Sequence, residues 1–244
     1  MGMLMENNSN SYCNISVFDI SIEDAWRPLI PWKSAFTEAS DHEIYIHKEI
    51  HRPLNELCEQ AFDKGFILNV CSGYRSFQRQ CDIWNDKLSG KRPVLDAMGR
   101  PINLENLTEW ERVEAVLRWS ALPGASRHHW GTDIDIYDSA AMSEGYKLQL
   151  LHEETVGDGI FASMHYWLDD HIDPQCGFYR PYATYNGGVL PERWHLSYAP
   201  ISRVDAEGMK LTSLERRLRE SNIFLLDTVL QNLELIYERF ICVD

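Results

Sequence analysis

The 244-residue chain predicts a single α+β domain, a small antiparallel sheet flanked by helices, and three observations carry that expectation. Helical spacing of apolar residues appears early and late, short β-prone runs fill the middle, and no repeat or low-complexity linker divides the chain. A composition of 44% hydrophobic and 25% charged residues is that of an ordinary globular protein, which excludes disordered, collagen-like and coiled-coil classes.

Residues 1–40 read as an irregular arm that Trp26, Pro28, Pro31 and Trp32 pin by aromatic burial. Ile46, Ile50, Leu54, Leu57 and Ala61 predict a helix over residues 43–64, stopped by Gly65. The run 66–71 reads as a strand ending at Ser72-Gly73, and residues 77–88 as a helix. Pro93, Gly99 and Pro101 mark turns or a loose hairpin. Thr108 and Glu111 form a capping-box signature that opens a helix to about Ser120. Residues 131–137 alternate, with Ile134 and Ile136 on one face of a strand and Asp133 and Asp135 on the other. A helix over 160–168 follows, then short strands near 177–182 and 195–198 around the Gly187-Gly188 turn. Ile223, Leu226, Leu230, Leu233 and Ile236 predict one amphipathic terminal helix over 222–240, its apolar stripe belonging to the core.

A net charge of −14 repels phosphate backbones and anionic lipid, and no cluster of Lys and Arg offsets it, so nucleic acid is not an expected partner. No segment approaches the ~20 apolar residues of a membrane span. Residues 1–10 are polar and lack the apolar stretch of a signal peptide; the chain as written therefore reads as cytoplasmic, or periplasmic if a leader has been removed. The six cysteines, Cys13, Cys58, Cys71, Cys81, Cys176 and Cys242, contain no Cys-x-x-Cys pair and read as mostly reduced thiols.

Two patterns carry chemistry. Ser126-Arg-His128-His-Trp-Gly131-Thr-Asp-Ile-Asp135 and Glu192-Arg-Trp-His195 together offer two imidazoles, a carboxylate ligand and a further carboxylate close to one of them. That is the inventory of a catalytic zinc site: three protein ligands, an open position for water, and a base to deprotonate it. A tight turn at Gly131 would bring His128 back towards Asp135. Asp133 shares a face with Asp135, so spacing alone does not choose between them, and His129 is an adjacent alternative to His128. His47 and His51 stand four apart, but Lys48 occupies the place where a zincin helix needs Glu, so a solvated face is expected. Residues 169–173 lack the glycine and spacing of a calcium loop and read as a charged helix end.

With Ser72-Gly-Tyr-Arg-Ser76 preceding them, these motifs resemble the VanY-like D-alanyl-D-alanine carboxypeptidases of the lysostaphin / D-Ala-D-Ala peptidase / hedgehog superfamily. That family shows Ser-Gly-Tyr-Arg-Ser, then Ser-x-His-x-x-Gly-x-Ala-x-Asp, then Glu-x-Trp-His. The resemblance spans roughly residues 43–198; Asp133 departs from it, standing where the family has Ala. It implies one catalytic Zn2+ held by His128, Asp135 and His195, with Glu192 as general base. It also implies that Arg75 stabilises the oxyanion, that Ser126 bonds the substrate's terminal carboxylate, and that Tyr74 and Gln80 lie beside the pocket. The expected division is an arm (1–40), a zinc peptidase domain (41–205) and a C-terminal helical extension packed on it (206–244). The expected partner is a peptide, peptidoglycan-derived, with Arg75, Arg127 and Arg180 as cations for its anionic end. An L,D-carboxypeptidase, a D,D-dipeptidase, an endopeptidase and a zinc-bearing binding module without turnover are the alternative readings.

Overall fold

A computed structural model describes residues 27–36, 43–173, 175 and 177–242. Trp26, most of the expected arm, Cys13 and Cys176 lie outside these residues. The central sheet has four strands in the order β3 (Leu68–Ser72), β4 (Asp133–Asp138), β6 (His195–Tyr198), β5 (Phe178–Tyr179), every neighbouring pair antiparallel. A separate two-stranded ribbon pairs β1 (Leu29–Trp32) with β2 (Ile44–His47).

Alternation along β4 divides its residues between two jobs. Ile134 and Ile136, fully buried, join Leu196, Val70 and Leu68 in a core under α1 (His51–Asp63) and α4 (Ala162–Asp169), each such side chain contributing about 1.5–3 kcal/mol. Asp133 and Asp135 face the opposite way. Since Asp135 pairs with His195 and Asp133 with Ser197 across the ladder, directly opposed residues place two acids, an imidazole and a hydroxyl on one face.

A second core joins α2 (Phe77–Leu88) and α3 (Glu109–Leu117) to α6 (Leu211–Arg219), α7 (Leu226–Gln231) and α8 (Leu233–Ile236); α5 (Ala199–Gly208) links β6 to this layer. The capping box at α3 forms as expected, with the Thr108 hydroxyl accepting from Glu111 N and the Glu111 carboxylate accepting from Thr108 N. Among the described residues, no helix is long and apolar enough to cross a membrane.

Three expectations differ from the structure. The segment 29–32 is a strand, not an irregular stretch, although Trp32 is buried as expected. The helix expected over 43–64 begins only at His51, because Ile44–His47 is recruited into the ribbon; His47 therefore ends a strand while His51 starts a helix, and they share no helix face. The terminal helix is broken at Asn232, whose side-chain amide donates to Thr228 O (2.8 Å), a local bond that competes with a continuous helix. Its stripe is nonetheless core: Ile223, Val229, Leu233 and Ile236 are all buried.

Candidate metal centre and active site

Gly131 sets the first ligand. The turn Arg127–Trp130 ends at Gly131 with φ +73°, and a Cβ there would stand 2.7 Å from Leu29 Cδ2 and 3.0 Å from His47 N. Only glycine fits that left-handed conformation pressed against the ribbon. Gly73 is similarly close, its virtual Cβ 2.4 Å from Tyr45 O, and its own carbonyl lies 2.9 Å from His128 Nδ1. That bond uses the Nδ1–H and leaves the Nε2 lone pair free. The ribbon therefore braces both loops that bring His128 to the sheet.

His128, Asp135 and His195 are buried, and one donor atom from each lies within 4.8 Å of the others. His128 Nε2 is 3.3 Å from Asp135 Oδ2, and His195 Nδ1 is 3.1 Å from Asp135 Oδ1. The imidazoles stand edge-on, 4.9 Å between centroids at 81°. Burial works against the Asp135 charge, but the two imidazoles outweigh it and hold the carboxyl well below its usual range. Burial likewise opposes charge on His195, yet bonds to Asp133 and Asp135 push its pKa up to about 9. A buried cluster that attracts a positive charge between two nitrogens and a carboxylate oxygen fits a divalent ion of the zinc type.

Geometry separates the two aspartates. Asp133, fully buried, lies 3.0 Å from His195 Nε2, the ring nitrogen facing away from Asp135. Arg127 Nε donates to Asp133 (2.8 Å), and Arg127 Nη2 donates to Tyr179 OH (2.7 Å) and Ser197 Oγ (2.9 Å); Thr132 Oγ1 donates to the other Asp133 oxygen. A carboxylate behind a ligating histidine fixes its tautomer and ring angle. His129 is committed too: Gly124 N donates to its Nε2 (3.1 Å), so its Nδ1–H faces Arg75 O at 2.6 Å.

Glu192 stands 3.8 Å from His195 Nδ1, one turn before it, with burial raising its carboxyl to about 7. Arg75 is oriented by two neutral partners, donating to Gln80 Oε1 (2.9 Å) and Ser72 Oγ (3.0 Å), while Gln80 donates to Ala121 O (2.7 Å). A cavity of about 350 Å³ brings Arg75, Ser126, His128, Asp135, Glu192 and His195 together.

Tyr74 and Gln80, expected beside the pocket, do not line it; Gln80 is fully buried behind Arg75. Arg127 reaches the cavity wall, but its guanidinium is engaged by Asp133 and two hydroxyls. Arg180 lies elsewhere, paired with Asp169 and donating to Arg193 O. Asp169 closes α4, the charged helix end expected of that stretch. Sequence reasoning missed Lys87 and Ser120, which line the same cavity. Lys87 lies seven residues after Gln80 on the expected helix, and that spacing gives a shared helix face without giving the cavity, which Gln80 does not line.

A family model described as VanY, D-alanyl-D-alanine carboxypeptidase, matches residues 43–201. A Haemophilus influenzae protein described as uncharacterized is 37% identical over 86 residues, 35% of this chain and 58% of its own length. A second from that organism is 31% identical over 122 residues, 49% of this chain and 92% of its own length. A D-alanyl-D-alanine carboxypeptidase of Enterococcus faecalis is 26% identical over 151 residues, 61% of this chain. The chain spans 46% of that enzyme's length. Among solved structures, a variant of the vancomycin resistance D,D-pentapeptidase VanY in complex with Zn(II) aligns at 24% identity and a TM-score of 0.46, over 69% of this chain and 83% of that one. The LdcB LD-carboxypeptidase aligns at 25% identity and a TM-score of 0.47, over 74% and 73%.

Proposed function

The chain belongs to the VanY D-alanyl-D-alanine carboxypeptidase family, and from that premise we propose that it is a zinc-dependent carboxypeptidase. Its substrates are D-amino-acid-containing peptides of the peptidoglycan stem type, cut at the terminal peptide bond. One observation carries the reading: His128, Asp135 and His195 converge in a cavity that also holds Glu192 and Arg75.

His128 Nε2, an Asp135 oxygen and His195 Nδ1 would hold one zinc ion. When bound, zinc polarises a carbonyl and lowers the pKa of a coordinated water to about 7. Glu192 takes the proton of the attacking water and later delivers it to the leaving amine; its burial beside His195 favours the protonated form over that of an exposed carboxylate, which suits a group that must accept a proton. Arg75, held by Gln80 and Ser72, faces the scissile carbonyl oxygen and stabilises it more as negative charge develops. Ser126 bonds the terminal carboxylate. Gln80 acts through Arg75, and Tyr74 serves by its backbone, Tyr74 N donating to Tyr45 O (2.6 Å) and tying the Arg75 loop to the ribbon.

The test is release of free D-alanine from a stem pentapeptide by zinc-loaded enzyme, with and without chelator. Release that the chelator abolishes is expected. Release of a dipeptide, or of D-alanine only from a tetrapeptide, would replace the specificity. No product from any stem peptide would leave a binding module.

A further inference from the structure

The cavity contains a cation that the proposed chemistry does not use. Lys87, in the last turn of α2, is half-buried and donates from Nζ to Ser120 Oγ at 2.6 Å. That hydroxyl is its only hydrogen-bond partner, and it pairs with no carboxylate, among the described residues. An ammonium has three N–H donors, so Ser120 leaves two of them without a protein acceptor.

Among the described residues, the acids that line the cavity have nearer partners than Lys87. Asp135 is committed to His128 and His195, and Glu192 stands beside His195 Nδ1. Arg92 lines the cavity but has its own acid, Asp86, at 3.4 Å. Arg127 is matched by Asp133. Among the described residues, Arg75 and Lys87 are therefore the cavity cations whose side-chain hydrogen-bond partners are neutral: Gln80 and Ser72 for one, Ser120 for the other. Burial, with Arg75 and Arg92 nearby, lowers the Lys87 pKa to about 8, although Glu192 pulls it the other way. At neutral pH most of the ammonium stays charged, and a desolvated cation gains most from an anionic ligand.

Resting on the peptidase reading above, we propose that Lys87 and Ser120 form a subsite for a carboxylate of the bound peptide, separate in role from Arg75. Arg75 meets charge that develops in the transition state, so its loss acts on kcat. Lys87 meets charge already present in the ground state, so its loss acts on KM. The carboxylate is either the free terminus or that of an acidic residue upstream. In a chain of net charge −14, a local cation also offsets the field that opposes entry of an anionic peptide.

The experiment uses zinc-loaded enzyme and three peptides ending in D-Ala-D-Ala with one internal glutamate: unmodified, amidated at the terminus, and amidated at the glutamate. For Lys87→Met a loss on the order of 10- to 100-fold in kcat/KM on the unmodified peptide is expected, carried by KM, as for one charge-assisted hydrogen bond. Amidating the carboxylate that Lys87 meets should erase the difference between wild type and Lys87→Met, whatever both lose at Ser126 when the terminus is the one amidated, and that identifies the carboxylate. Lys87→Arg, which keeps the charge, should recover most of the loss. Equal loss on all three peptides, or loss in kcat alone, overturns the subsite. If wild type cleaves none of them the peptidase reading fails, and calorimetric binding of the same peptides decides the subsite separately: equal affinities for wild type and Lys87→Met overturn it.

Discussion

Replacing Glu192 by Gln separates what burial does to this carboxyl from what the carboxyl does in turnover. Its side chain is 13% exposed, and burial lifts its pKa from 4.5 to about 7. At about 1.4 kcal/mol per pH unit, the gap between those values is worth about 3 kcal/mol. Between them the folded metal-free protein keeps a proton that the unfolded chain has lost, so stability falls as pH rises from 4.5 and the cost is complete above 7. Gln carries no ionisable proton and escapes that cost. In chelator, the variant should match wild type near pH 4.5 and exceed it at pH 8 by about 3 kcal/mol, roughly 6–12 °C in Tm for a chain of this size. Differential scanning fluorimetry across that range reads the difference directly. In the zinc-loaded form, the same variant should retain its metal and lose about 10²–10⁴-fold in kcat, the usual contribution of a general base. A Tm difference that stays flat from pH 4.5 to 8 would refute the burial argument, and undiminished turnover would remove Glu192 from the chemistry.

Two further outcomes follow from the geometry. Asp133→Ala strips the buried Arg127 of its ion-pair partner and frees His195 Nε2, so a stability loss of about 3–5 kcal/mol is expected, with zinc affinity weakened about 10–100-fold; chelator competition and denaturant melts measure both, and unchanged zinc affinity would reduce Asp133 to a packing role. Gln80→Leu removes the acceptor for Arg75 Nη1 without entering the cavity; steady-state kinetics should show kcat lowered on the order of 10-fold with KM nearly constant, and a change confined to KM would count against an orienting role.

The elements with strong local signals were legible. The helix Phe77–Leu88 forms over the expected residues, α3 has its capping box, and β4 shows the alternation that turns Ile134 and Ile136 to the core and Asp133 and Asp135 away from it. Sequence also nominated two imidazoles and a carboxylate, because metal chemistry draws on few residue types. It misread residues 29–32 and 44–47: Ile46 fits the helical spacing of Ile50, Leu54 and Leu57, and pairing between the two segments overrides that pattern.

The amino-acid sequence by itself determined which side chains a metal could use and that a glycine would turn the chain between His128 and Asp135. Tertiary structure decided which carboxylate faces which nitrogen. Asp133 and Asp135 are indistinguishable by period, and they part only because His195 lies across the ladder, with one ring nitrogen towards each. It likewise decided that Gln80 stands behind Arg75 and that Lys87 shares the cavity. Contacts between residues far apart in the chain depend on how strands and helices pack, and no local pattern encodes them.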